Sequence, residues 1–513
     1  MKDSWRGICF GGRLHCDGSE LDLFWDGLDL NSQLQYQQRC FERVLLLIFV
    51  LTLPLLNPWV RGDGVGYYAY ARAPLIEHSL DFTHDYESAN ESFRQARCDA
   101  NGRPKAEFRT RTGHLDNHFT VGPAMLWSPF LLLAHGGVLL ARALGSQLPA
   151  DGFSAPYRYA MAFATGLYGF LALLLSFRLA SKYVSPTWSF VATMAIWWGS
   201  SLPVYMYFNP SWSHAHSAFV CALFLWFWDA TREQRSLAQW MLLGFVVGLM
   251  SDVYYPNLLI ASVLVVEALV QYTHIFRSGS SSSRSFLQLL SCHLLFGLVV
   301  CIALIPTFAS RSIVYGGPFE TGYLPIRDFL WHSPVFLSVL FSTDHGLLSW
   351  TPLLGLAILG LLLFAIRLSK VGIPLLSALV AFYLLIAFYP DWAGISSYGN
   401  RFFISLTPLF VLGLAHLLGS VGAHIREPRT ALAFSSAVLV CFVLWNLGLM
   451  YQWGTHLVPA RGPISFRRAT YNQFCVVPIR LTSQLRSYLF RRSELMRQIE
   501  RSDIEQLNQN KQP

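Results

Sequence analysis

Residues 41–60 read FERVLLLIFVLTLPLLNPWV, and the chain turns directly from them into Arg61-Gly62-Asp63-Gly64-Val65-Gly66-Tyr67-Tyr68. About 20 mainly apolar residues in a helix cross the hydrocarbon of a bilayer, so the first stretch reads as a membrane span and the second as the loop where it surfaces. The residues before it are polar and mixed in charge, unlike the start of a cleavable signal peptide, so the span is retained. Comparable runs follow at 157–178, 187–207, 214–228, 237–252, 257–273, 286–309, 347–366, 373–389, 402–418 and 431–450. With the first, at 42–60, they make about eleven spans. The expected class is an all-α polytopic membrane protein. It has an N-terminal tail at 1–41, one transmembrane domain at 42–450 with a large first loop at 61–156, and a basic tail at 451–513.

Composition supports that class and excludes others. Of 513 residues, 53% are hydrophobic and only 13% charged, against about 25% charged in soluble domains. The net charge of +8 sits in loops and tails. It does not alternate with aromatics on one face, so lipid head groups and phosphates are the expected partners and nucleic acid is not. The nine cysteines form no CxxC pair, and Cys221, Cys292, Cys301 and Cys441 fall in apolar runs, where a thiol acts as a small hydrophobe. Cys98 and Cys475 would both lie outside and could pair in an oxidising compartment.

Lysine and arginine in short loops mark the cytoplasmic side. Arg178 with Lys182, Arg232 with Arg235, Arg277 with Arg284, Arg367 with Lys370 and Arg426 with Arg429 alternate with loops that carry none. This puts the N-terminus inside and the C-terminal tail outside. It also requires the apolar run 119–144 not to cross, and to lie on or dip into the outer surface instead. The first outer loop is itself basic, but loops of its length escape the rule. The serines of 278–283 read as a flexible linker. In the tail, Arg491, Arg492 and Arg497 stand at helical spacing and could lie along the outer leaflet or in water.

A long polar loop among short ones asks for a reason. Three glycines around Asp63 let the backbone bend tightly and approach a ligand closely, although an aspartate there would equally cap the next helix. His84, His114, His118, His214 and His216 share one side of the membrane in this topology, which leaves room for a divalent metal. Residues 214 and 216 would point to different helix faces, however, so no metal ligand is assigned. The triplet Asn90-Glu91-Ser92 fits a glycosylation pattern that often occurs by chance.

Five blocks carry a wider likeness: GDGVGYYAYARAPLIEHSLDFTHDYE from Gly62, NHFTVGPAMLWSPFLLLAH from Asn117, SHAHSAF from Ser213, DHGLLSWTPLL from Asp344 and SYGNRFF from Ser397. Together, in this order, they resemble bacterial membrane glycosyltransferases of the GT-C superfamily, relatives of protein O-mannosyltransferases and of the lipid A aminoarabinose transferase. The resemblance implies a GT-C-like core whose first outer loop carries juxtamembrane helices. It further implies a polyprenyl-phosphate sugar as donor, with transfer to a lipid, glycan or protein acceptor on the outer face of a bacterial inner (cytoplasmic) membrane. Asp63, at the family's acidic position after the first span, would be the general base of an inverting transfer.

The departing phosphate would need positive charge. Arg401 of SYGNRFF is the first candidate, with Arg72 and Arg61 behind it, and snorkelling at a helix end is the plain alternative for Arg401. Asp81, Asp85 and Glu87 compete for a second acidic position. Tyr67, Tyr68, His118, His214 and His345 are candidates to line the pocket. The competing class is a transporter or lipid flippase without transferase activity, which should carry ionisable groups in mid-membrane. Most spans have apolar middles, and Asp252 is the nearest exception.

Overall fold

The computed structural model describes residues 30–277 and 282–509; most of the N-terminal tail and most of the serine linker lie outside the described residues. Among the described residues the chain is helical, apart from loops and two isolated bridges in the first loop. The principal helices are α1 (Leu30–Thr52), α2 (Asp63–Arg72), α3 (Gly122–Ala143), α4 (Ala155–Ser181), α5 (Pro186–Gly199), α6 (His214–Thr231), α7 (Leu237–Val253) and α8 (Ser262–Arg277). They continue as α9 (Ser282–Ala303), α10 (Ile305–Tyr315), α11 (Leu353–Arg367), α12 (Ser369–Phe388), α13 (Thr407–His424), α14 (Pro428–Gly454), α15 (Val477–Phe490) and α16 (Arg492–Gln509). Seven helical segments among the described residues are long and apolar enough to cross a membrane, and α7 and α11 are shorter apolar helices. The protein is an all-α polytopic membrane protein.

Several expected spans are interrupted, and each break has a proline. Pro54 lies where α1 tightens into a 3-10 turn, Pro203 follows the end of α5, Pro306 opens α10 and Pro352 separates α11 from the short helix Leu347–Trp350. A proline lacks the N–H that would continue the helical ladder and its ring crowds the preceding turn. The freed polar groups are satisfied locally: Asn57, past the end of α1, donates from its backbone to Tyr207 (2.8 Å) and from its side chain to the carbonyl of Phe208 (3.1 Å).

The centre of the bundle is α13. With the turn Arg401–Leu406 before it, its apolar stretch is 89% buried, against 6% for α9 at the periphery. It packs on α4, α5, α6 and α11. At its crossing with α11, a Cβ on Gly360 would stand 1.9 Å from the carbonyl of Gly413, so small residues bring the two backbones together.

By length and composition α3 could also cross. It packs on α4 and α7. Trp127 donates to Thr165 (2.8 Å), Tyr168 to the carbonyl of Leu126 (3.0 Å), and His135 meets Tyr157 (2.6 Å). The two helices are therefore antiparallel, and α3 pairs only with the first half of α4. Its first residue, Gly122, abuts Val253 at the C-terminal end of α7.

The bundle has two chemically distinct ends. One carries Arg178, Lys182, Arg232 and Arg235, with Arg178 on Glu42 (2.7 Å), Lys182 on Asp229 and Arg235 on Glu267 tying neighbouring helices together. The other carries Asp63, Arg401, the first loop and the C-terminal tail.

Candidate active site

Asp63 is the first residue of α2, and Gly62 before it is left-handed (φ 54°). The glycine tract serves close packing. It lets α2 press against the bundle: a Cβ would stand 3.3 Å from the Trp212 ring at Gly62, 2.0 Å from Ser211 Oγ at Gly64 and 2.1 Å from the Phe119 ring at Gly66. The tryptophan also donates to the carbonyl of Arg61 (3.0 Å). Packing of this kind fixes Asp63 to the start of α6.

Facing it is Arg401, at the foot of α13. Arg401 Nη1 lies 2.8 Å from Asp63 Oδ2, with the arginine side chain 12% and the aspartate 34% exposed. The guanidinium sits 4.4 Å above the Trp212 ring. Its buried Nε makes no hydrogen bond, so the cation retains donor capacity that its surroundings do not use. His214 stacks edge-on against Tyr205 at 4.7 Å, and Tyr67 accepts a hydrogen bond from Ser213 (3.0 Å). His345 packs 4.8 Å from the Trp350 ring with its Nδ1 3.3 Å from Asp344. Burial, and after it the charge of Arg401, pushes His345 down to about 4, so its imidazole is neutral at physiological pH.

The backbone around this pair is strained as well. His345 (φ 58°) and Ile395 (φ 59°) are left-handed although they are not glycine, and Gly394 and Gly399 share the conformation. Left-handed non-glycine residues cost energy and concentrate where geometry is enforced for function.

Other expected site residues fall elsewhere. Arg72 ends α2, about 14 Å along the helix from Asp63. Its guanidinium is 2% exposed and committed to Asp85 (2.7 and 2.8 Å), Glu77 (2.8 Å) and the carbonyl of Asp151 (3.2 Å). Burial opposes that charge, but the two carboxylates outweigh it and raise the guanidinium above its ordinary range. Arg61 pairs with Asp503 of the tail (3.1 Å) and lies over Trp59 (4.5 Å). Asp81 is an exposed turn residue that accepts from Thr83 (2.7 and 3.0 Å), and Glu87 is half-buried on the same short helix as Asp85.

Tyr68 points away from Tyr67 and donates to the carbonyl of Gly152 (2.6 Å). His118 leans on Phe119 (4.2 Å) and Tyr323 (5.0 Å), one ring removed from Tyr67. His214 and His216 do face differently, the second packing on Trp127 and Tyr168. His84 and His114 bond instead to Glu77 and Thr112. Among the described residues no three His, Cys, Asp or Glu side chains converge on a metal position, and Cys98 and Cys475 are free thiols.

One residue escaped the sequence reading. Arg311 on α10 is 2% exposed, lies 5.4 Å from the rings of Tyr255 and Tyr315, and bonds to the Tyr255 hydroxyl and the carbonyl of His118 (3.0 Å). No carboxylate pairs with it among the described residues, and its buried Nη1 has no hydrogen-bond partner. Tyr323, between Tyr255 and His118, connects this guanidinium to the Tyr67 side of the Asp63–Arg401 pair. An arginine two residues past an apolar run, with no acid before Glu320, was the signal available in the sequence.

No known family model and no curated protein matches the chain. Among solved structures, the crystal structure of ArnT from Cupriavidus metallidurans in the apo state is similar over 81% of this chain and 71% of that chain, at 13% identity and a TM-score of 0.43.

Proposed function

We propose that the protein is a membrane glycosyltransferase that moves a sugar from a polyprenyl-phosphate donor to an acceptor hydroxyl, with inversion, at the end of the bundle facing away from the cytoplasm. The observation that carries the reading is the Asp63–Arg401 pair: a partly exposed carboxylate beside an enclosed guanidinium with an unused donor. Such a pair offers the two functions the reaction requires. As the acceptor oxygen attacks the anomeric carbon, Asp63 takes its proton and the bond from that carbon to the phosphate oxygen breaks. The electron pair leaves with the polyprenyl phosphate, whose growing charge Arg401 would meet, with Arg311 as a second cation. The direct ion pair adds a coupling. A donor phosphate that draws Arg401 to itself would release Asp63 from this contact and leave its carboxylate facing the acceptor hydroxyl.

The test is transfer of radiolabelled sugar from polyprenyl-phosphate donors in membranes holding matched amounts of wild type or Asp63→Asn. Loss of transfer with donor binding retained supports Asp63 as the base, and equal transfer by the two refutes it. A transporter has one observation in its favour, the fully buried Asp252 with an unpaired Oδ2. Its place at the end of α7, bonded to Thr307 (2.5 Å), is not mid-span. Wild type inert with every donor would turn the choice to that reading.

A further inference from the structure

The C-terminal tail divides into two helices of opposite character. In α16 the polar side chains bind the first loop: Glu500 accepts from Asn90 (2.8 Å) and the backbone of Ser92 (2.6 Å), and Asp503 meets Arg61 and His456. Arg492 at its start donates to the carbonyls of Leu56 and Pro54. Two of the arginines marked in the sequence thus open or belong to a helix that packs on protein.

The other helix, α15, has a different face. Leu481, Leu485 and Leu489, one turn apart, are 46%, 46% and 38% exposed, and Phe474 just before the helix is 72% exposed. Val477 and Tyr488, on the neighbouring stripe, are turned to the protein. Arg480, Arg486 and Arg491 are exposed and have no carboxylate partner among the described residues. A helix standing in water would not show this pattern.

The position of α15 supplies the explanation. Just before it, Gln473 donates to the carbonyl of Leu444 (3.0 Å) and accepts from Gln452 (3.0 Å), which fixes the chain against the last turns of α14. There α14 exposes Val440 (52%) and Leu444 (59%) as part of its lipid-facing side. At the other end Tyr488 donates to the carbonyl of Leu55 (2.7 Å), where α1 finishes. The helix therefore lies across the ends of two spans, and its leucine stripe continues the apolar belt of the bundle. We infer that α15 is an in-plane membrane anchor: its Leu481–Leu485–Leu489 face enters the acyl boundary of the leaflet at the Asp63 end, and its arginines take phosphate-bearing, negatively charged lipid head groups. The anchor hands the chain directly to α16, so the contact with lipid sets the height at which α16 grips Arg61 and Asn90.

Photocrosslinking of the full chain tests this without reference to catalysis. p-Benzoylphenylalanine is placed at Leu485 or, on the opposite face, at Ser483, in vesicles of equal phosphatidylglycerol and phosphatidylcholine. The expected result is lipid adducts from Leu485 at ten-fold or more the yield from Ser483, with phosphatidylglycerol favoured several-fold and that preference abolished by Arg480→Gln, Arg486→Gln and Arg491→Gln together. Equal yields from the two positions, or adducts to protein only, would overturn the anchor. Equal use of the two lipids by wild type would overturn the head-group assignment.

Discussion

Replacing Asp85 by asparagine asks whether the Arg72–Asp85 pair holds the first loop together or serves the site. Both side chains are 2% exposed and meet through two contacts, with Glu77 as a third partner at 25% exposure. Removing one member of a buried ion pair strands the other, which costs about 3–5 kcal/mol. Glu77 stays in place and offsets part of this, so the expected loss for Asp85→Asn is about 3 kcal/mol. Removing both charges, in Arg72→Met with Asp85→Leu, strands neither and should bring stability back to within about 1 kcal/mol of wild type. The assay is unfolding of the detergent-solubilised protein by graded addition of a denaturing detergent, read by tryptophan fluorescence and repeated as a thermal melt. A loss under about 1 kcal/mol for the single variant, the range of a surface pair, would refute the reasoning, as would a double variant weaker than the single one. Were Arg72 instead a phosphate ligand, Asp85→Asn would change donor affinity and leave the melt nearly unmoved.

Three further outcomes are expected. Gly64→Val would force Ser211 and the start of α6 apart, since its Cβ alone lands 2.0 Å from Ser211 Oγ; it should lower the melting temperature sharply, whereas Gly136→Ala, with open space around it, should not. Arg311→Gln removes an unpaired buried charge, so the melt of the ligand-free protein should hold or rise while binding of geranyl phosphate, measured by calorimetry, weakens about ten-fold, or roughly 1.4 kcal/mol; a large loss of stability with unchanged binding would make Arg311 purely structural. Burial works to raise the Asp503 carboxyl, but His456, Arg61 and Arg461 outweigh it and hold it below the usual range. Its folded pKa therefore lies under the unfolded value of about 3.9, so its contribution is complete at neutral pH and lost as pH falls through that lowered value. Hydrogen exchange in residues 492–509, corrected for the intrinsic rate, should accelerate as the pH is taken from 5 into stronger acid.

The class of the fold was legible because apolar run length is a local property. Where it misled, a proline decided: residues 347–366 look like one span, but Pro352 divides them. The run 119–144 was kept out of the membrane by charge alternation alone, and its length and composition would equally allow a span. The candidate site residues Asp63 and Arg401 were singled out by resemblance. Asp63 and Arg401 are brought together by the fold, which nothing local to either announces. Arg72 looked available because its partner Asp85 stands 13 positions on, across a turn that periodicity does not predict. The glycines of the Asp63 loop announced a close approach of the backbone, but sequence does not show that Trp212, Ser211 and Phe119 are what it approaches.

The tie between Arg61 and Asp503 also imposes an order on biogenesis. One partner stands just past the first span and the other lies far down the chain. About 440 residues of translation separate them, roughly 20–90 s at ordinary rates of synthesis. Throughout that interval the rim beside Asp63 lacks its closing helix, and a chain released early keeps an exposed arginine where the finished protein has a clasp. Completion of the rim thus follows the membrane insertion of the spans, and is reached only by chains translated past Asp503.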